Sequence, residues 1–415
     1  MNVHLDPARE AWMCADETQA VVMALNRDGA AVRFVGGAVR NALLKKPVTD
    51  IDLATPLVPD EVMRRLRAAG IAAIPTGLAH GTITAVSNGK SFEVTTLRRD
   101  VSTDGRRATV AFSTDWAEDA ARRDFTINAL YATPDGEVFD YASGLTDLED
   151  GRVRFIGEPG ERIREDYLRI LRLFRFHAWY GKGDINSDAL RAAAAEREGL
   201  SFLSGERVQK EILRLLGAED PMGALRSMAA AGILESVFPI ALRLDRLDRL
   251  VRIDASSFFP VDPVLRLAAM LPQAAGGAEI VADRLKLSNE SRKRLEDLAQ
   301  PPERLVPYLS VREVHRLLYE FGQARFRDRV FLSWADDAKA SNAISWRALL
   351  ALADSWCCPQ FPLTGRDVMT AGVPEGPQIG RILKEVESWW VDSDFTMDEF
   401  SLAERLKAIV QATAF

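Results

Sequence analysis

The sequence has few of the residues that build covalent or metal-held scaffolds. Its 415 residues include three cysteines, Cys14, Cys357 and Cys358, and four histidines, His4, His80, His177 and His315. Two of the cysteines are adjacent, and vicinal neighbours rarely meet disulfide geometry with each other, so a disulfide framework is excluded and a reducing compartment is expected. No histidine stands at the Cys/His spacing of a zinc site, which argues against a histidine-rich metal centre. No run approaches about 18 uninterrupted apolar residues, so no membrane span is expected. Met1 to Glu10 lacks the apolar core of a secretory signal, and the expected location is the cytoplasm. An excess of basic residues is missing as well: 53 Lys and Arg stand against 60 Asp and Glu, a net charge of −7. Any surface that attracts nucleic acid must therefore be local.

What is present is an ordinary globular composition, 47% hydrophobic and 27% charged, in a chain long enough for about two to four domains. From Val32 to Phe155 strand signals concentrate at Val32 to Val35, Thr82 to Val86, Ser91 to Leu97, Thr109 to Phe112 and Val138 to Tyr141. Ala38 to Leu44 and Pro59 to Ala69 read as helices between them, so the first third is α+β. After Gly160 the pattern is almost continuously helical, punctuated by glycine and proline. Boundaries fall near Gly151 to Gly160 and near Gly217 to Pro221, which divides the chain into 1–150, 151–220 and 221–415. Arg243 to Arg252 alternates Arg, Asp and Leu as a solvated amphipathic helix does.

The chemistry concentrates in the first half. Arg33 to Asn41 reads as a strand, a Gly36-Gly37 turn and a helix start, where glycine lets backbone N–H groups approach a phosphate and Arg40 can reach the same anion. Alone, this is also plain turn chemistry. Asp50-Ile51-Asp52 reads as part of a strand, which puts both carboxylates on one face. Like charges side by side repel, and Mg²⁺ relieves that repulsion while accepting substrate phosphates. Glu93 on a later strand is a candidate third carboxylate, and His80 reads as a loop organiser before a catalyst. Arg122-Arg123 precedes an apolar run read as helical and suits triphosphate binding, with Asn128 available to a sugar hydroxyl. Asp166, Arg169, Arg172 and Arg175 recur every third residue and form one polar stripe on a helix. Three arginines on a stripe repel unless an acid or another anion sits against them.

A glycine turn followed closely by Asp50-x-Asp52 resembles the DNA polymerase beta superfamily. The sequence as a whole resembles the class II tRNA nucleotidyltransferase and bacterial poly(A) polymerase family within it. Gly36-Gly37-Ala38-Val39-Arg40 with Asp50-Ile51-Asp52 is similar to the metal motif, Arg122-Arg123-Asp124 to Leu130 to the ribose motif, and Glu165-Asp166-Tyr167-Leu168-Arg169 to the amino-acid template. Asp140 to Leu148 resembles the hinge motif and Ser204 to Glu211 the helix-supporting motif. Thr364 to Met369 and Gly376 to Gly380 resemble tail signatures, and Leu97 to Val110 resembles the flexible loop. Asn41 departs from the family's usual aspartate.

The resemblance implies an α+β nucleotidyltransferase head followed by all-α neck, body and tail domains, the last two binding tRNA. It implies template-independent addition of CCA to tRNA 3′ ends from CTP and ATP, with Asp50 and Asp52 holding two Mg²⁺ ions. Asp166 and Arg169 would then read the base edge, with Arg172 and Arg175 in support. An acceptor beside a forked donor can match cytosine or adenine and mismatch uracil and guanine. The expected partners are tRNA and nucleoside triphosphates, with the protein acting as monomer or homodimer and no membrane involved. The alternatives are a poly(A) polymerase, a CC-adding or A-adding enzyme, or, from another class, a catalytically dead RNA-binding protein.

Overall fold

Alternating burial along Thr82–Ser87 and Lys90–Thr96 marks strands with one face in a core and one toward solvent. The computed structural model describes residues 3–29, 31–104, 107–272, 276–300, 305–337 and 339–412. Its strands are β1 (Arg33–Val35), β2 (Ile51–Thr55), β3 (Ala72–Gly77), β4 (Thr82–Ser87), β5 (Lys90–Thr96), β6 (Arg98–Asp104), β7 (Arg107–Phe112), β8 (Leu130–Ala132) and β9 (Val138–Asp140). Seven of them form one sheet in the order β3-β4-β5-β2-β1-β8-β9, and β6 pairs with β7 separately. Among the described strands only β2 and β5 run parallel.

One row across the sheet, Phe34, Leu53, Val94 and Ile83, is buried. Helices Asp16–Leu25 and Pro59–Ala68 pack over that side of the sheet, and the Trp12 ring meets Phe34 edge-on at 4.8 Å. The opposite face carries Val35, Ala54 and Tyr131, which join Leu97, Ala120 and Ala129 in a second cluster under helix Trp116–Ala121. On the same face, next to Val35 in register, lie Asp52 and then Glu93.

Beyond Asp140 the described elements are helices and short 3₁₀ turns. Residue packing divides the chain into two compact units. The first comprises Met1–Ala241, Val261–Pro263 and Ile280–Ser288; the second comprises Leu242–Pro260, Val264–Glu279 and Asn289–Phe415. At the C-terminal end of the second unit, Val368, Ile382, Val386, Trp390, Leu402 and Leu406 bury one another in a separate core.

Three local expectations change. The apolar run after Arg123 is a 3₁₀ turn, Thr126–Asn128, followed by β8, because pairing with β1 and β9 outweighs local propensity. Arg98–Asp104, within the expected loop, is a strand because Arg107–Phe112 pairs with it in a hairpin. Residues 105 and 106 of that segment lie outside the described residues. Ala72–Gly77 is also a strand that the sequence pattern did not reveal: most of its side chains are exposed, so it lacks an apolar alternation.

Phe34 anchors the central sheet with no exposed surface. Phe34→Ala is expected to lower stability by about 3–5 kcal/mol, read as an earlier first transition in urea by near-UV circular dichroism.

Candidate active site

Gly36 ends β1 and precedes helix Gly37–Leu43 with φ 69° and ψ −119°, a conformation that a side chain strongly disfavours. A Cβ there would meet Asn128 O at 3.6 Å and Arg123 Nη1 at 3.8 Å, both ordinary distances, so the backbone angle rather than space requires glycine. Gly37 opens the helix. Strand β2 starts at Ile51, so Asp50 lies just before it and is exposed, while Asp52 lies within it and is half-buried. The two carboxylates are thus not both in the strand as the spacing suggested. The partner of Asp52 in the parallel ladder is Glu93, which is exposed on β5. Burial pushes the Asp52 carboxyl up to about 6, and the neighbouring charges of Glu93 and Asp50 add to this while Arg123 opposes it. Among the described residues no three His, Cys, Asp or Glu side chains stand close enough together to hold a metal.

Arg122 and Arg123 are held from below by Asp119, whose side chain is 1% exposed. Asp119 accepts from Arg122 Nε at 2.8 Å, from Arg123 Nη2 at 3.0 Å and from the Tyr131 hydroxyl at 2.7 Å. Burial opposes its charge, yet the two guanidinium groups hold its carboxyl below the usual range. Arg162 donates to the carbonyls of both Arg122 and Arg123 and pairs with Glu165. Sequence reasoning missed Asp119 and Arg162. Asp119 carried a signal, an acid three and four residues before paired arginines on a helix. Arg162 carried none for this role, because the Arg122 and Arg123 carbonyls it binds lie about 40 residues away.

Arg40, Asn128, Arg172 and Arg175 belong to one buried chain of polar contacts. Arg40 Nη1 donates to Asn128 Oδ1, and Asn128 Nδ2 donates to Asp124 Oδ1 at 3.0 Å. Arg172 Nε donates to Asp124 Oδ2 at 2.7 Å, and Arg172 Nη1 stands 3.8 Å from Glu211, which also binds Arg175 Nε. Burial works against the charge on Asp124, but Arg172, Asn128 and the Phe125 N–H hold its carboxyl at about 2. Arg40 also donates to Asn41 Oδ1 and to the Tyr180 hydroxyl at 2.8 Å. Asn41 thus still orients Arg40, as a neutral acceptor. The Asn128 amide is engaged at both ends and 7% of the residue is exposed, which places it inside this chain rather than free toward a sugar.

Asp166 is not on the helix that its spacing suggested. It has extended backbone, φ −157° and ψ 105°, between helices Pro159–Glu165 and Leu168–Tyr180. Its Oδ1 caps Leu168 N at 3.1 Å, and its Oδ2 accepts from Arg207 Nη2 at 2.8 Å. Arg169 uses Nη1 for both its contacts, Arg162 O at 2.7 Å and Glu165. Acids therefore sit against all three arginines of the stripe: Glu165 on Arg169, Asp124 and Glu211 on Arg172, and Glu211 on Arg175. The Asp166 and Arg172 side chains are 28% and 31% exposed, against 14% for Arg169 and 10% for Arg175. His80 is exposed in a 3₁₀ turn, and its carbonyl accepts from Arg98.

Residues 32–154 match the family model described as the poly A polymerase head domain, and residues 184–243 match the probable RNA and SrmB-binding site of polymerase A. The mitochondrial CCA tRNA nucleotidyltransferase 1 of Mus musculus is 33% identical over 403 residues, 92% of this chain and 87% of its own length. A CCA-adding enzyme of Levilactobacillus brevis is 31% identical over 376 residues, 88% of this chain and 91% of its own. Among solved structures, the Bacillus stearothermophilus CCA-adding enzyme in complex with CTP matches with a TM-score of 0.75 and 25% identity, covering 95% of this chain and 97% of that one. The Thermotoga maritima CCA-adding enzyme complexed with tRNA shares the fold at a TM-score of 0.68 and 20% identity, over 99% of this chain and all of that one.

Asp124→Asn is expected to cost about 2–3 kcal/mol near pH 7, because the depressed carboxyl contributes its stability above the ordinary aspartate range. The difference from wild type should shrink as pH falls from about 4 toward 2, where the native carboxyl takes up its proton. Chemical denaturation at stepped pH measures it.

Proposed function

The chain belongs to the class II CCA-adding enzyme and poly(A) polymerase family, and from that premise we infer that it is a tRNA nucleotidyltransferase adding C, C and A to tRNA 3′ ends from CTP and ATP. The observation that carries the reading is the crowded carboxylate pair on the open sheet face beside two arginines anchored by a buried acid. An acidic cluster alone repels a triphosphate, and arginines alone give no reaction; together they fit a phosphoryl-transfer site.

The carboxylate set fits Mg²⁺. Asp52 is held up by burial and by Glu93 and Asp50, a state that a hard dication relieves, and Mg²⁺ asks for only one or two carboxylates because it keeps waters and takes phosphates. Asp50 and Asp52 would hold two ions, whose chemistry is to lower the pKa of the attacking 3′-hydroxyl and to neutralise charge on the triphosphate. Arg122 and Arg123 would face the triphosphate, their forks fixed by Asp119 so that little reorganisation accompanies binding. Gly36 keeps the turn beside Arg123 clear of a side chain.

Base selection would rest with Asp166 and Arg169. Arg207 orients the Asp166 carboxylate, and Glu165 with the Arg162 carbonyl holds Arg169 by a single nitrogen, leaving the rest of the fork to a base edge. Arg172 and Arg175 would brace the helix below. The helical remainder of the chain would take the tRNA by shape and backbone contacts. No helix among the described residues is long and apolar enough to cross a membrane. Cys14, Cys357 and Cys358 are free and exposed, which suits a reducing compartment such as the cytoplasm.

The test is extension of a tRNA lacking its 3′-terminal CCA with labelled CTP, ATP, GTP or UTP, singly and together, in Mg²⁺. CTP with ATP is expected to add three nucleotides and stop. A long A tail would instead make the enzyme a poly(A) polymerase. Asp50→Ala and Asp52→Ala are each expected to abolish addition with an unchanged far-UV circular dichroism spectrum, and near-normal turnover would remove these residues from the catalytic role.

A further inference from the structure

The helix Leu168–Tyr180 carries the arginine stripe at its start, and its 13 residues extend it for about 20 Å. Its last turn grips the segment that leads into the catalytic strand. The Tyr180 hydroxyl receives a hydrogen bond from Arg40 Nη2 at 2.8 Å and donates to Asn41 Oδ1 at 3.1 Å. Its ring lies 4.1 Å from the Arg40 guanidinium carbon. Lys46 Nζ donates to Trp179 O at 2.9 Å and stands 4.9 Å from the Tyr180 ring, a cation against the carbonyl end of the helix. The gripped segment is itself closed: Asn41 Nδ2 donates to Pro47 O at 3.0 Å, and Lys46 N donates to Asn41 O at 2.8 Å. Only Val48 and Thr49 separate Pro47 from Asp50.

Among the described residues the hydrogen-bond acceptors of Arg40 are the side-chain oxygens of Asn128, Asn41 and Tyr180, none of them a carboxylate. A buried guanidinium held by neutral oxygens depends on each of them and on the aromatic face beside it. We propose that Tyr180 is a positioning residue for nucleotidyl transfer: by holding Arg40, Asn41 and, with Trp179, Lys46, it fixes residues 41–50 and so places Asp50 and Asp52 relative to the helix that reads the base. The assignment rests on the transfer reaction inferred above. It makes Tyr180, about 16 Å along the helix from Arg169, the mechanical link between the template end of that helix and the reacting end of the head.

The experiment compares wild type with Tyr180→Phe, which keeps the ring and removes the hydroxyl, and Tyr180→Leu, which removes both. It measures kcat and KM for CTP and ATP on tRNA lacking CCA, together with amide hydrogen exchange of the metal-free protein without substrates. Tyr180→Phe is expected to lower kcat about tenfold with KM changed less than about twofold, and Tyr180→Leu to lower it further. Exchange is expected to quicken in residues 41–50 while helix Leu168–Tyr180 keeps its protection. Unchanged kcat and exchange in Tyr180→Phe overturn the assignment. It is equally overturned if exchange quickens throughout helix Leu168–Tyr180, which makes Tyr180 an ordinary packing residue. A wild-type chain that adds no nucleotide to the tRNA overturns the transfer reading and this assignment with it, whereas active wild type with an unaffected Tyr180→Phe overturns Tyr180 alone.

Discussion

The first unit depends on the cost of burying arginine. Its polar interior is a chain of contacts running from Arg40 through Asn128 and Asp124 to Arg172, Glu211 and Arg175. Taking a guanidinium out of water without partners costs far more than any single hydrogen bond returns, so each member holds the next in one geometry. Those members come from helix Gly37–Leu43, the segment Asp124 to Asn128 before β8, helix Leu168–Tyr180 and helix Gly205–Leu216. The relay therefore does for the relative placement of these elements what apolar packing alone does loosely, since hydrophobic surfaces tolerate sliding and forked hydrogen bonds do not.

The same logic sorts the charges that face solvent. Asp52 and Glu93 are paired side by side on one face of the sheet, with the burial of Asp52 and their repulsion opposed by Arg123. Immediately beside them, Asp119 is fully buried and overcompensated, with two arginines and a tyrosine hydroxyl on one carboxylate. One site is left short of positive charge and the next is left with forked donors in excess. On the proposed function, Asp52 and its acidic neighbours would hold cations and Arg122 and Arg123 would take phosphate oxygens. A net charge of −7 is thus compatible with binding polyanions, because the attraction comes from arginines held in fixed local geometry and not from the charge of the whole chain.

Much of this was legible in the residues. Gly36, Asp52 and the Arg169, Arg172 and Arg175 stripe are local patterns, and local patterns survive folding because glycine's positive φ and helical periodicity belong to the backbone itself. The division into an α+β first third and a helical remainder follows from the same periodicities. The readings that changed depended on how segments meet, not on local pattern: β8 pairs with β1 far back in sequence, β6 pairs with its neighbour β7, and the extended backbone of Asp166 belongs to a junction between helices.

The sequence by itself therefore determined which chemical groups are available and in what local spacing: two aspartates, a glycine turn, paired arginines and a stripe of three more. Only the tertiary structure decided which of them are paired in the interior and which stay exposed. Asn128 and Arg175 had the pattern of binding groups and lie within the chain of polar contacts, while Asp119, Arg162 and Tyr180, which sequence reasoning did not single out, hydrogen-bond Arg122, Arg123 and Arg40. The physical reason is that a charged side chain's role is set by what neutralises it, and here the neutralising partners stand as far apart in sequence as Asp124 and Arg172, or Asn41 and Tyr180, where no spacing rule reaches.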